Sequence, residues 1–220
     1  MNSLTHRFAR LALLMIAPLV LTACGVNTIP TKEEKAKAQW AEVQNQYQRR
    51  SDLIPNLVAT VKGYAAQESS VLIGVSQARA GAMQVKSDAS ITTDPAAFQR
   101  YAAAQQNLSL AIAPLRVLQE NYPELKSNQN FMALQSQLEG TENRVTIARR
   151  DYNEAVRDFN TTLRTFPQII WAKTVHGGSK PMQLFQATAT AQTTPTVDFS
   201  PTQAPAAMPA GAAPGSPPPK

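Results

Sequence analysis

From Asn130 to Phe166 apolar or small residues recur in strict three-four alternation. Phe131, Leu134, Leu138, Thr141, Val145, Ala148, Tyr152, Ala155, Phe159, Thr162 and Phe166 form one line, and charged or amide side chains cover the remainder. At about 1.5 Å per residue this predicts a helix roughly 54 Å long. Its single apolar stripe must be covered by partner helices, so the segment cannot fold alone.

The residues before it supply partners. Thr31 followed by Glu34 matches a capping box, after which Trp40, Val43, Tyr47, Arg50, Ile54, Leu57, Val61, Tyr64, Glu68, Val71, Val75 and Ala78 keep the same spacing. This reads as one long arm. Pro55 falls inside it, and because the apolar phase is unchanged a kink is preferred to a break, with Asp52 capping a new helix as the alternative. Ser87–Thr93 is the expected loop, Asp94-Pro95 a cap with a first-turn proline. The next helix carries Phe98, Tyr101, Gln105, Leu108, Ile112, Leu115 and Tyr122, with a kink expected at Pro114 and an end at Tyr122-Pro123. Gln168–Phe185, with Ile169, Ile170, Trp171, Leu184 and Phe185, is expected to pack back on the bundle end. Half of the 16 prolines lie beyond residue 194, in a stretch with almost nothing to bury, which predicts a disordered tail. The expected fold is therefore all-α: an extended bundle of long, antiparallel, kinked helices, with a three-helix core, a short C-terminal segment and a Pro/Ala-rich tail.

The first residues point to a location. His6, Arg7 and Arg10 precede the apolar run Leu11–Leu21, an export-signal pattern too short for an ordinary membrane span. Leu21, Thr22, Ala23 and Cys24 resemble the lipobox of bacterial lipoproteins, which implies cleavage before Cys24 and its acylation. Gly25, rather than Asp, follows it, which by the same resemblance favours the outer over the inner membrane. The expected organisation is a signal peptide over 1–23, a lipidated tether over 24–31, a helical bundle over 32–186 and the tail over 187–220. Loss of Arg7 and Arg10 with the signal lowers the formal charge from +6 to +4. Basic pairs such as Arg49-Arg50 and Arg149-Arg150 are interspersed with acids and amides, so nucleic acid is not an expected partner.

The residues also carry a family resemblance. Asn45, Tyr47, Arg50, the block Ser51–Ala65 (SDLIPNLVATVKGYA), Glu68, Tyr122-Pro123-Glu124-Leu125, Asn130-Phe131, Leu134, Leu138, Glu142-Asn143-Arg144, Ala148-Arg149, Tyr152-Asn153, Asn160 and Phe166-Pro167 follow in order and at similar spacing to the LemA family. The resemblance covers about Trp40 to Phe185. It implies an N-terminally anchored, extracytoplasmic bundle of antiparallel helices, and it implies little about biochemistry. Gln67 stands where the family often has His before Glu68, which argues against a metal role there. TVHGGSKPMQLF replaces a more aromatic ending.

Chemistry-bearing motifs are few. His6 and His176 are the only histidines and Cys24 the only cysteine, so a His/Cys zinc site is not expected, and there is no GxSxG, phosphate-binding glycine loop or HExxH. His176 reads as an exposed turn residue. Glu139, Glu142, Asp151, Glu154 and Asp158 are expected to pair on the helix surface with Arg144, Arg150 and Arg157. No catalytic, cofactor or metal residue is assigned, and no enzymatic activity is expected. Arg50 and Glu68 fall on the apolar line, where polar groups can set helix register. The favoured function is a non-enzymatic envelope scaffold. It is held to the membrane by lipid on Cys24 and binds an envelope protein partner through the half of the bundle far from the anchor, taken to include Arg79 and Lys86. Self-association is compatible with that reading. The alternatives are a carboxylate-dependent envelope hydrolase and a small-molecule or peptide carrier.

Overall fold

The computed structural model describes residues 25–186, and the expected export signal, Cys24 and the expected disordered tail lie outside them. The chain divides into two units, 1–185 and 186–220, and all that follows concerns the first. Its helices are α1 (Thr28–Tyr64), α2 (Ser69–Gln84), α3 (Pro95–Asn121), the single turn α4 (Pro123–Lys126), α5 (Gln129–Thr162) and α6 (Gln168–Thr174), with a 3-10 turn over Ala89–Thr93 and no strand among the described residues. This is the all-α bundle that the apolar spacing predicts.

The spine is an antiparallel pair, α1 and α5. Contacts that climb α1 descend α5: Lys32 meets Asp158 at 2.9 Å, Arg50 meets Glu142 at 3.0 Å, and the Tyr64 hydroxyl accepts from Asn128 at 2.7 Å. Helix α1 begins at Thr28, inside the stretch expected to be a tether. The Thr31 hydroxyl donates back to the Asn27 carbonyl instead of forming a capping box.

The first arm does not run on to Ala78. It ends at Tyr64, and after a turn at Ala65–Glu68 α2 folds back along α1, so four helices share the core where three were expected. The apolar line could not reveal this, because α1 and α2 both carry it in the same phase and the turn contains no proline. One consequence is that the loop following α2 returns to the level of Trp40, whose indole donates to Ser87 O at 3.0 Å. Lys86 therefore lies toward the N-terminal half of the bundle. The far end is formed by Ala65–Glu68 and Tyr122–Asn128.

Both internal prolines sit within unbroken helices. Pro55 has no N–H for the carbonyl of Ser51, four residues earlier and 5% exposed; Arg79 Nε from α2 donates to that oxygen at 2.8 Å, replacing the lost helical bond. At Pro114 the corresponding carbonyl belongs to Leu110, on an exposed turn, where water can serve. Asp94 accepts from the amides of Ala96 and Ala97, with Pro95 at the first helical position, as the sequence predicts. Asn128 caps α5 through Phe131 N.

Helices α2 and α3 are shorter than the spine, and α1 extends about 18 Å below Trp40. The C-terminal segment covers that lower part. After α6 a non-helical strap, residues 179–185, runs antiparallel to α5 and is stitched to it by two asparagines. Asn160 exchanges two hydrogen bonds with the backbone of Met182 (2.8 and 2.9 Å) and Asn153 two with that of Phe185 (both 2.9 Å). Seven helical residues rise about 10.5 Å and three residues of extended chain span about 10 Å, so the two spacings match. Phe185 completes an aromatic cluster with Trp40, Phe98 and Tyr152, ring centroids 4.8 to 6.3 Å apart.

Candidate functional site

The core is not continuous. A lower, aromatic cluster ends at Tyr47 on α1, Tyr101 on α3 and Val145 on α5, while an upper, aliphatic cluster begins at Ile54, Leu108 and Leu138. Between them, one turn further on each helix, stand Arg50, Gln105 and Glu142. The Arg50 side chain is 1% exposed. Its Nη1 donates to Ser109 Oγ at 2.7 Å and Glu142 Oε1 at 3.0 Å, and its Nη2 to Gln105 Oε1 at 2.7 Å and Gln105 O at 3.1 Å. The guanidinium carbon also lies 5.0 Å from the Tyr47 ring centre, and Nε is buried without a partner. A cation withdrawn from water this far needs such partners.

Arg50 thus occupies the seam as its spacing requires. Glu68 does not: it is half-buried in the α1–α2 turn, where its carboxylate accepts from the Tyr122 hydroxyl at 3.1 Å. Glu142 departs from the expected surface pairing. It reaches across to Arg50, while Arg144 donates to Thr141, Arg150 pairs with its neighbour Asp151, and Asp158 pairs with Lys32. Arg79, expected on an open surface, is half-buried on Ser51 O. His176 is half-buried rather than exposed, with Nε2 3.0 Å from Val26 O. Sequence reasoning did not find the roles of Gln105, Ser109, Asn153 and Asn160. The seven-residue spacing of the two asparagines was the available signal, but it identifies no partner by itself.

Beside the Arg50 layer, between α1, α2 and α3, a cleft of about 350 Å³ is lined by Gln44, Gln48, Tyr47, Ser51, Tyr101 and Gln105 among others. None of its lining side chains is acidic or basic. Burial pushes both phenols above their ordinary value, Tyr101 the further, so they stay protonated at neutral pH. Ser51 Oγ is buried without a partner. The cleft offers hydrogen bonds and aromatic faces but no group able to exchange a proton near neutrality. Among the described residues no three His, Cys, Asp or Glu side chains come together to hold a metal, and none of the helices is long and apolar enough to cross a membrane.

Fold and layer together define a class: an antiparallel helical bundle with a buried arginine layer dividing its core and an asparagine-stitched strap closing one end. The model of the LemA family matches residues 39–199, most of the chain, and the protein belongs to that family. Two proteins of Paramagnetospirillum magneticum, the magnetosome proteins MamQ 1 and MamQ 2, are each 22% identical to it over 179 residues. The match covers 74% of this chain and 66%, just under two thirds, of each relative's length.

Proposed function

We propose that this protein is a lipid-anchored, extracytoplasmic scaffold of the bacterial envelope, non-enzymatic, which binds a protein partner through the far half of α2 and α3. The observation that carries the reading is the surface of α2 and α3. Ile73 on α2 and Leu110 and Val117 on α3 are 54 to 65% exposed. The one charged residue of α2, Arg79, is turned inward onto Ser51 O. Exposed large apolar groups on a helix surface poor in charge are a feature of protein-binding faces. Neither the family nor the magnetosome proteins carry a name that describes a reaction. The hydrolase alternative is weakened because Glu142, its leading carboxylate, neutralises Arg50. The carrier alternative draws support from the cleft beside Tyr101, and a ligand-dependent rise in melting temperature would favour it.

The anchoring part rests on Leu21-Thr22-Ala23-Cys24. Radiolabelled palmitate supplied to cells should label the wild type and not Cys24→Ala, and an Ile73→Lys/Val117→Lys double variant should stay labelled while losing its co-purified partner. An unlabelled wild type rejects the anchor. A partner retained in full by the double variant rejects the surface.

A further inference from the structure

Residues 163–186 contain Arg164, Lys173 and Lys180 and no acid. They also hold three large apolar side chains left in the open: Phe166 at 79% exposure, Val175 at 59% and Ile170 at 48%. This segment wraps the first turn of the chain after Cys24. A methyl group placed on Gly25 would lie 3.4 Å from Trp171 Nε1, His176 Nε2 sits 3.0 Å from Val26 O, and Ser179 Oγ donates to Glu33 at 3.0 Å. The nearby acids pair elsewhere, Glu33 and Glu34 sharing Lys37 and Asp158 taking Lys32. Arg164, Lys173 and Lys180 have no carboxylate partner among the described residues.

We infer that this end of the bundle is a foot that rests on an anionic lipid bilayer, with Phe166, Ile170 and Val175 entering the headgroup region and Arg164, Lys173 and Lys180 facing the headgroup charge. The inference rests on the anchoring reading, and the leash is what commits the surface to lipid. Gly25 already packs on Trp171, so only one peptide unit, about 3.8 Å between Cα atoms, separates an acylated Cys24 from the folded base. Acyl chains in the bilayer would hold Trp171 at the interface, where amphipathic indoles are favoured. One lipid chain alone binds marginally, whereas apolar and basic contacts add to it, roughly fivefold for each basic residue close to an anionic surface. The anchor then fixes an orientation, with the bundle upright on its foot and the Ala65–Glu68 end directed away from the membrane.

The test uses the protein purified from membranes and reconstituted into vesicles of phosphatidylcholine and phosphatidylglycerol, with or without lipids brominated high on the acyl chain. The chain has two tryptophans, and Trp40, 1% exposed in the core, serves as the unquenched reference. Brominated lipid should reduce Trp171 emission about twofold at low salt, and Trp171→Phe should abolish that change. Phe166→Ser/Ile170→Ser/Val175→Ser should keep its melting temperature, because these side chains are exposed, and should be quenched clearly less than the wild type, because the acyl anchor alone then holds Trp171 near the lipid. Trp171 unquenched in the wild type, or quenched equally in the triple variant, overturns the foot. Intact mass of the same sample reports acylation independently. An acylated chain with no quenching fails the foot alone, and an unacylated chain that is quenched fails the anchor alone.

Discussion

Replacing Glu142 with Met should destabilise the bundle more than replacing Arg50 with Met, although Arg50 is the more buried partner. In Glu142→Met a guanidinium 1% exposed loses its one counter-charge among the described residues and keeps the neutral acceptors Gln105 and Ser109. Breaking a buried ion pair from one side costs about 3 to 5 kcal/mol. The Glu142 side chain is 32% exposed, so water can enter and the lower end, about 3 kcal/mol, is expected. In Arg50→Met the abandoned Glu142 can turn to solvent, and the loss is the hydrogen bonds to Gln105 and Ser109, about 1 to 2 kcal/mol. For a domain of this size 1 kcal/mol moves the melting temperature by about 2 to 4 °C, so Glu142→Met should lower it by about 6 to 12 °C and Arg50→Met by about 2 to 8 °C. The double variant should be more stable than Glu142→Met alone, because it removes the stranded cation. Circular dichroism melts of the four proteins give the cycle. Additive losses, or Arg50→Met as the more damaging change, would refute the assignment of Glu142 as the counter-charge.

Three further outcomes follow from particular contacts. Arg79→Met should cost about 1 to 2 kcal/mol in the wild type and clearly less in a Pro55→Ala background, where residue 55 regains an N–H for Ser51 O; urea titrations of the cycle test this. Asn153→Ala or Asn160→Ala should release the strap with a loss of about 1 to 3 kcal/mol, read as faster hydrogen exchange at the Met182 and Phe185 amides while α2 and α3 keep their protection. Tyr47, Tyr101 and Tyr152 have ionisations raised by burial. Unfolded tyrosine releases its proton near pH 10 whereas the folded phenols hold theirs, so their contribution is fully present below about pH 10 and is lost as pH rises toward the folded values. Their ultraviolet tyrosinate signal should appear together with unfolding, not before it.

The sequence made the spine, the caps at Asp94 and Pro95, the end at Tyr122 and the burial of Arg50 legible, because each is written in residues a few positions apart. The turn at Ala65–Glu68 was not legible, since apolar phase is a local property and survives a reversal of direction. The same error put Lys86 at the far end and Glu68 in the seam. Glu142 sits beside seam residue Thr141, so its spacing fitted a surface position as well as a flank from which a side chain can reach inward. Only the partner helix decides between these. The packing back of the segment ending at Phe185 was legible from its apolar content, but its stitching was not, for a related reason: Asn153 and Asn160 read as surface polar residues until a backbone arrives at the matching spacing.

The scaffold account stands most directly on where partners touch the bundle. Photoreactive residues placed in vivo at Ile73 and Val117, at Phe166, and separately in the Pro/Ala-rich stretch after residue 194 would locate that contact. The account predicts defined protein crosslinks from Ile73 and Val117 and none from the tail, with lipid rather than protein trapped at Phe166. Defined partners trapped only from the tail, or no partner from any position while the purified protein turns over a substrate, would contradict it.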